Sequence, residues 1–319
     1  MEMERKLISI VVPFYNEGEG VDAFYRAVST VLDRIDAFRF EVVCIDDGSR
    51  DDTLQRLISL IYHDSRFQVI ELSRNFGKES ALTAGIDASE GDAVIPFDAD
   101  LQDPADLIPA LIEEWQKGAD VVLARRSDRS SDSYLKRKTA RMFYRFHNRL
   151  AEVKLPENVG DFRLMDRAVV ESLKKLSEKQ RFMKGLFAWV GFKTTTVDYT
   201  RNPRVSGRTK FSGWKLWNFA LEGITSFSTF PLRMWTYIGG LGAIMTLCYA
   251  LFLILKTVIS DAVLSENIFL TIAVLFFGSL QLIGIGILGE YMGRTYMETK
   301  QRPTYLIRRH HRVKKNNDV

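Results

Sequence analysis

The chain has 319 residues, of which 46% are hydrophobic, and its 44 basic and 40 acidic side chains give a net charge of +4. This balance fits an ordinary globular chain and does not by itself indicate a nucleic-acid-binding protein. Its two cysteines, Cys44 and Cys248, exclude a disulfide framework and a cysteine-ligated zinc site. The N-terminus carries no recognisable signal peptide, so we expect the N-terminal part to stay in the cytoplasm.

Five short apolar segments alternate with helix-like segments in the first half of the chain. They cover residues 7–12, 41–45, 68–72, 93–97 and 120–123. Near-continuous apolar strands separated by helices are typical of a mainly parallel sheet with helices on both faces. The sequence therefore predicts an α/β fold built on a βαβαβαβ frame.

Polar residues follow four of these predicted strands. In open α/β sheets, ligands bind beyond the carboxyl ends of the strands, so these segments are candidate binding loops. They contain Pro13, Tyr15, Asn16 and Glu17 after the first strand, Asp46 and Asp47 after the second, Lys78 after the third, and Asp98 and Asp100 after the fourth. The first loop lacks the GxGxxG pattern of dinucleotide-binding proteins, and the third lacks the first glycine of a P-loop.

The pair Asp98 and Asp100 is the candidate metal site. Residues two apart in an extended chain point to the same face, so the two carboxylates would lie together. Carboxylates completed by substrate phosphates are the usual way in which proteins bind Mg²⁺ or Mn²⁺. Such an ion would relieve the repulsion and stabilise a departing diphosphate. The alternative is a solvated turn, and for the neighbouring Asp103 a helix cap is an adequate explanation.

Three further loop residues have two interpretations each. One of Asp46 and Asp47 would accept hydrogen bonds from a uracil or ribose, while the other caps the next helix. Lys78 either contacts a phosphate or pairs with Glu79. The sequence leaves both choices open.

Two uncharged stretches, residues 235–255 and 267–289, are each long enough to cross a bilayer as a helix. Basic residues flank the pair on its outer sides, which predicts that both ends face the cytoplasm. Residues 206–232 have the composition of an interfacial amphipathic segment. The alternatives are two buried helices of a soluble core for the stretches and a plain core helix for residues 206–232.

Six motifs occur in a fixed order: SIVVPFYNE, IDDGSRDDT, LSRNFGKESALTAGIDAS, DADLQDP, GDFRLMDR and RFMKGLFAWVGF. With the two apolar stretches after them, the chain resembles the family 2 glycosyltransferases of the GT-A fold. Within that family it is most similar to the polyprenyl-phosphate glycosyltransferases, which include bactoprenol glucosyltransferases and dolichol-phosphate mannose synthases. The resemblance covers nearly the whole chain. A QxxRW motif is absent and only two spans are present, so the processive synthases are a poor match.

The resemblance implies roles for the candidate residues. Pro13, Tyr15, Glu17 and Asp47 would line the nucleotide pocket, which we extend to Asn16, Asp46, Lys78, Asp98 and Gln102. Asp98 and Asp100 would hold Mg²⁺ or Mn²⁺ with help from Gln102. The catalytic set would be Asp100, Asp161 as the candidate base, and Arg163. Arg125, Arg204 and Lys210 would contact the diphosphate or the acceptor phosphate.

Asp161 has two further interpretations. A lipid phosphate has its second pKa near ~6, so at neutral pH it is already an anion and Asp161 would orient it more than deprotonate it. A salt bridge with Arg163 or Arg167 is the structural alternative.

The predicted organisation is a GT-A domain over residues 1–205, a juxtamembrane amphipathic segment over 206–232, a transmembrane hairpin over 233–291 and a basic cytoplasmic tail over 292–319. We expect a bacterial inner-membrane enzyme that transfers a hexose, with UDP-glucose as the expected donor, to undecaprenyl phosphate with inversion. The product would serve surface polysaccharide (O-antigen) modification. The alternatives are a membrane-anchored nucleotide-binding scaffold or translocator, and a soluble nucleotidyltransferase. We expect no nucleic-acid partner, and the sequence leaves a homo-oligomer open.

Overall fold

The computed structural model describes residues 5–127, 159–176, 183–200 and 266–313, together with isolated positions in 178–181 and 235–252. Its strands are β1 Leu7–Phe14, β2 Arg39–Asp46, β3 Phe67–Leu72, β4 Ala93–Pro96, β5 Val121–Arg126, β6 Val159–Asp166, β7 Thr194–Tyr199 and β8 Ile307–His311. Its helices are α1 Val21–Leu32, α2 Thr53–His63, α3 Lys78–Ala88, α4 Ile108–Gln116, α5 Arg167–Lys174, α6 Met183–Trp189 and α7 Glu266–Thr299. All five strands predicted from the sequence are present as β1 to β5.

The strands form one mixed sheet in the order β7-β5-β6-β4-β1-β2-β3-β8. The four strands β1 to β4 are parallel, as predicted. Strand β6 inserts antiparallel between β4 and β5, and β8 adds antiparallel to the outer edge of β3. The carboxyl ends of β1 to β4 therefore meet at one edge of the sheet, where the loops with the candidate site residues begin.

Helices cover both faces of the sheet because alternate strand residues are buried on opposite sides. In β1, Ile10 and Val12 belong to the core under α1, α2 and α4, whereas Val11 belongs to the core under α3, α5 and α6. Helix α3 lies especially close to the sheet. A Cβ atom on Gly85 would come within 2.3 Å of a Val11 methyl group, so this position requires glycine. This close contact fixes the start of α3, and with it Lys78, beside the carboxyl edge.

Part of the predicted basic tail, residues 292–319, has regular secondary structure. Residues up to Thr299 continue α7, and β8 pairs with β3. Glu71 on β3 contacts His311 at 3.2 Å and Arg308 at 3.1 Å. Since an exposed strand edge offers unpaired backbone groups, a basic segment that pairs with Glu71 on β3 can complete it. The sequence alone does not predict this strand, because Glu71 lies more than two hundred residues earlier in the chain.

Among the described residues, no helix combines the length and the apolar character needed to cross a membrane. The predicted juxtamembrane segment, residues 206–232, lies outside the described residues. Part of the first predicted span, residues 235–255, also lies outside them.

Candidate functional site

The loop after β1 is held against the loop after β2. Ser49 Oγ accepts a hydrogen bond from the Asn16 amide at 3.0 Å, and Asn16 Oδ1 accepts one from the Arg50 amide at 2.8 Å. Asn16 has a φ of 51°, a left-handed conformation that asparagine tolerates better than most residues. Tyr15, Asn16 and Glu17 therefore follow Pro13 as a fixed, half-buried loop at the carboxyl edge.

Asp47 holds the loop that leads into α3. Its two carboxylate oxygens accept hydrogen bonds from the amides of Phe76 at 2.7 Å and Gly77 at 2.9 Å. Gly77 has a φ of 98°, which glycine adopts without strain. Burial raises the pKa of Asp47, and the two amide hydrogen bonds only partly oppose this effect. The carboxylate is thus engaged by backbone that positions Lys78.

Asp46 is also buried, but its partners differ. One oxygen accepts the Ser49 amide at 3.2 Å, whereas Oδ1 has no hydrogen-bond partner in the described part of the chain. Burial raises the pKa of Asp46 above its ordinary value. Neither acid caps the following helix, since the amides that they accept belong to other segments, and the Thr53 amide at the start of α2 donates to Asp51 at 3.1 Å. Of the two acids, Asp46 retains an oxygen for a ligand.

Lys78 joins the candidate metal site to the candidate base. Its Nζ lies 2.6 Å from Asp98 Oδ1 and 3.0 Å from Asp161 Oδ2. Partial desolvation of the ammonium group lowers the pKa of Lys78, but the carboxylates of Asp98 and Asp161 outweigh this effect, so the pKa lies above its ordinary value. The sequence suggested that Lys78 contacts a phosphate or pairs with Glu79. Neither interpretation included this bridge, because Asp161 lies 83 residues further along the chain.

The DxD segment, Asp98 to Asp100, and the nearby Gln102 supply oxygen atoms that can bind a metal ion. Asp100 Oδ1 accepts the Gln102 amide at 3.2 Å, and Gln102 Oε1 is buried with no hydrogen-bond partner among the described residues. No group of three or more His, Cys, Asp or Glu side chains in the described regions is arranged to hold a metal ion. Two carboxylates and an amide oxygen nevertheless fit Mg²⁺ or Mn²⁺, ions that complete their coordination with substrate phosphates and water. The residues fit an ion shared with a phosphate-bearing ligand.

The neighbouring Asp103 does not act as the helix cap expected from the sequence. It is buried and accepts a short hydrogen bond from the Tyr199 hydroxyl at the end of β7. Burial and the Asp103 charge raise the pKa of Tyr199 to about 12. This contact connects the loop after β4 to β7, the strand at one edge of the sheet.

Asp161 and Arg163 lie two apart on β6 and so share a face of the strand. Arg163 is buried, and it donates to the Gly160 carbonyl at 2.7 Å and the Asp161 carbonyl at 3.3 Å. Its guanidinium lies 4.1 Å from the centre of the Phe187 ring, and burial lowers its pKa to about 10. The Asp161 carboxylate contacts Lys78, while Arg163 holds the backbone around it.

Of the three predicted phosphate contacts, the structure describes Arg125, near the carboxyl end of β5. Arg125 on β5 makes two hydrogen bonds to Asp198 on β7, at 2.6 and 2.9 Å. Both side chains are about half exposed. Arg204 and Lys210 lie outside the described residues.

Comparison with known proteins supports the resemblance. The family model for glycosyl transferase family 2 matches residues 9–174. A prophage bactoprenol glucosyl transferase homolog from Escherichia coli K12 is 53% identical over 95% of this chain and 98% of its own length. An uncharacterized glycosyltransferase from Synechocystis is 49% identical over 94% of each chain.

Solved structures are more distant. Glucosyl-3-phosphoglycerate synthase from Mycobacterium tuberculosis, in complex with Mn²⁺, UDP and glucosyl-3-phosphoglycerate, is 21% identical with a TM-score of 0.44. That match covers 69% of this chain and 77% of the other. Family membership therefore rests on the sequence matches, which span nearly all of the chain. The chain belongs to glycosyl transferase family 2.

Proposed function

We propose that this glycosyltransferase transfers glucose from UDP-glucose to undecaprenyl phosphate at the cytoplasmic face of the bacterial inner membrane, with inversion at the anomeric carbon. The observation that carries the proposal is the bridge at Lys78, which brings Asp98 and Asp161 within reach of one ammonium group. A donor held by the DxD segment and an acceptor held by Asp161 would meet there. Relatives whose names describe bactoprenol glucosyl transferases support the choice of sugar and lipid.

On the donor side, Asp98, Asp100 and Gln102 would hold a divalent cation together with the diphosphate. When bound, the ion acts as a Lewis acid that neutralises charge developing on the departing UDP. The buried Asp46 oxygen is suited to accept a hydrogen bond from the ribose or uracil. The loop containing Asn16 and Glu17 forms the adjacent wall.

On the acceptor side, Asp161 would orient the lipid phosphate through the Lys78 ammonium, which lies 3.0 Å from its carboxylate, because two anions repel each other directly. A phosphate monoester has its second pKa near ~6, so the attacking oxygen is already an anion at neutral pH and no proton has to be removed. That oxygen attacks the anomeric carbon as the carbon–oxygen bond to the UDP phosphate breaks, and UDP leaves with the bonding electrons. In-line attack from the opposite face inverts the anomeric centre.

The membrane location rests on the apolar C-terminal stretches. Large apolar side chains on α7 are exposed, among them Leu282 at 70%, Ile285 at 56% and Leu288 at 53%. An apolar surface of this kind is a membrane or protein interaction site. We propose that residues 233–291 form a hairpin that anchors the enzyme where its lipid acceptor lies.

The test is a lipid-labelling assay with membranes that contain the full chain. Labelled UDP-glucose and undecaprenyl phosphate should give a labelled lipid, and a metal chelator should stop the reaction. Labelled UDP-galactose and GDP-mannose, supplied in parallel, should label the lipid far less. Nucleotide binding without lipid labelling would instead favour a scaffold, and preferential labelling from another donor would refute the choice of glucose.

A further inference from the structure

Lys78 occupies the space between a candidate metal ligand and the candidate acceptor residue. We propose that Lys78 is a resident counter-cation, which an incoming divalent ion displaces from Asp98, so that metal and nucleotide sugar bind together. The proposal rests on the function proposed above and adds a coupling device to that site. It gives the lysine a role in the ligand-free enzyme that differs from simple phosphate binding.

The backbone around Lys78 is fixed, so only its side chain can move. The Phe76 and Gly77 amides are held by Asp47, and Gly85 seats α3 against the sheet. The Lys78 side chain itself is 47% exposed, although its ammonium contacts two carboxylates. Because a lysine side chain is long and has several rotatable bonds, its ammonium can leave Asp98 without any change in the fold.

The charges make departure of the ammonium dependent on a replacement. If Lys78 left alone, the neighbouring carboxylates of Asp98 and Asp161 would lose the cation that they share, and it would no longer offset their mutual repulsion. If a divalent ion entered while Lys78 stayed, the ion and the ammonium would repel each other at short range. Exchange of one cation for the other avoids both costs.

A nucleotide diphosphate makes the exchange easier. Its oxygens offer the displaced ammonium a new anionic partner, while the ion binds both the diphosphate and the DxD carboxylates. Metal and nucleotide should therefore bind with positive coupling, and each should raise the affinity for the other by the same factor. The free enzyme should bind the metal weakly, which delays assembly of the site until the donor is present.

The experiment measures Mn²⁺ binding to the full chain in detergent from the electron paramagnetic resonance signal of free Mn²⁺, with and without UDP. Lys78→Met removes the resident cation and should tighten Mn²⁺ binding without nucleotide by roughly tenfold. The added effect of UDP on Mn²⁺ affinity should shrink in this variant. Lys78→Arg keeps a cation and should stay near the wild type.

Lys117→Gln is the matched control, because Lys117 pairs with Glu113 and Glu114 on α4, away from this site. It removes the same charge and should leave Mn²⁺ affinity unchanged. The double variant Lys78→Met with Asp100→Ala should lose the tightened binding. Thermal unfolding of each variant shows whether it is folded. If Lys78→Met is misfolded, the Mn²⁺ affinity of Lys78→Arg is compared with that of the wild type, and the two should be similar.

Mn²⁺ binding by Lys78→Met that is equal to or weaker than wild type would overturn the proposal, as would tightened binding that survives Asp100→Ala. Lipid labelling by the wild-type protein separates the two hypotheses. If labelling occurs while Lys78→Met shows no gain in affinity, the proposed function holds and the counter-cation role fails. If neither protein binds Mn²⁺ and no lipid is labelled, both fail.

Discussion

Two acidic pairs lie at the carboxyl ends of β2 and β4, the two strands that flank β1: Asp46 with Asp47, and Asp98 with Asp100. Asp47 is held by backbone amides, which are fixed parts of the fold. Asp98 is held by the ammonium of Lys78, at the end of a long side chain. The two acids have similar places at the sheet edge, but their partners differ. An acid held by backbone amides stabilises a loop, whereas an acid held by a mobile side chain is available to a ligand.

The largest expected effect is a loss of lipid labelling when the pair Asp98 and Asp100 is changed. Asp100→Ala should abolish lipid labelling, with a loss on the order of 10³-fold, because one of two carboxylates that hold the ion is gone. Its melting temperature should stay close to that of the wild type. Asp106→Ala, which changes an exposed aspartate in the next turn, serves as the control. Retained labelling in Asp100→Ala would refute the metal assignment.

For Asp47→Ala we expect the opposite of Asp100→Ala, namely a clear loss of stability. This change leaves the amides of Phe76 and Gly77 without their acceptor, which costs about 1–3 kcal/mol for each buried group that stays unsatisfied. The melting temperature should fall by several degrees, as followed by tryptophan fluorescence of the full chain in detergent. Asp36→Ala removes an exposed aspartate and should not alter it. A stable Asp47→Ala protein that has lost only nucleotide affinity would make Asp47 a ligand residue instead.

The contribution of Asp46 to stability should depend on pH, with a smaller effect than the changes above but a definite sign. Its folded-state pKa is raised by burial, so the folded protein takes up this proton at a higher pH than the unfolded chain does. As the pH falls from 7 through that raised pKa, the contribution of Asp46 to stability therefore increases. Asp46→Asn cannot take up the proton. The melting temperature of the wild type relative to Asp46→Asn should rise as the pH falls from neutral towards the ordinary pKa of an aspartate, and parallel curves would contradict this.

The smallest effect is expected at Arg125. Its pair with Asp198 lies at the protein surface, where ion pairs contribute little to stability. Arg125→Gln should leave both the melting temperature and lipid labelling nearly unchanged. A loss of labelling above tenfold, with an unchanged melting temperature, would instead support Arg125 as an acceptor-phosphate contact. The control is Asp198→Asn, which breaks the same pair from the other side.

The site shows where prediction from sequence succeeds and where it stops. The DxD segment was recognised as a candidate metal site because two aspartates follow an apolar strand directly, and the order of motifs predicted the glycosyltransferase family. The roles of Asp46, Asp47 and Lys78 stayed open because each depends on a partner in another loop. The hydrogen bonds from Phe76 and Gly77 to Asp47 join residues about 30 positions apart.

The sequence by itself determined the parallel strands β1 to β4, since a continuous apolar segment between two helices must be buried on both faces. Only the tertiary structure decided that β6 inserts antiparallel, that β8 completes the edge beside β3, and that Lys78 bridges Asp98 and Asp161. The physical reason is range: local patterns report burial along one segment, whereas pairing and charge compensation depend on segments that meet only in the folded chain.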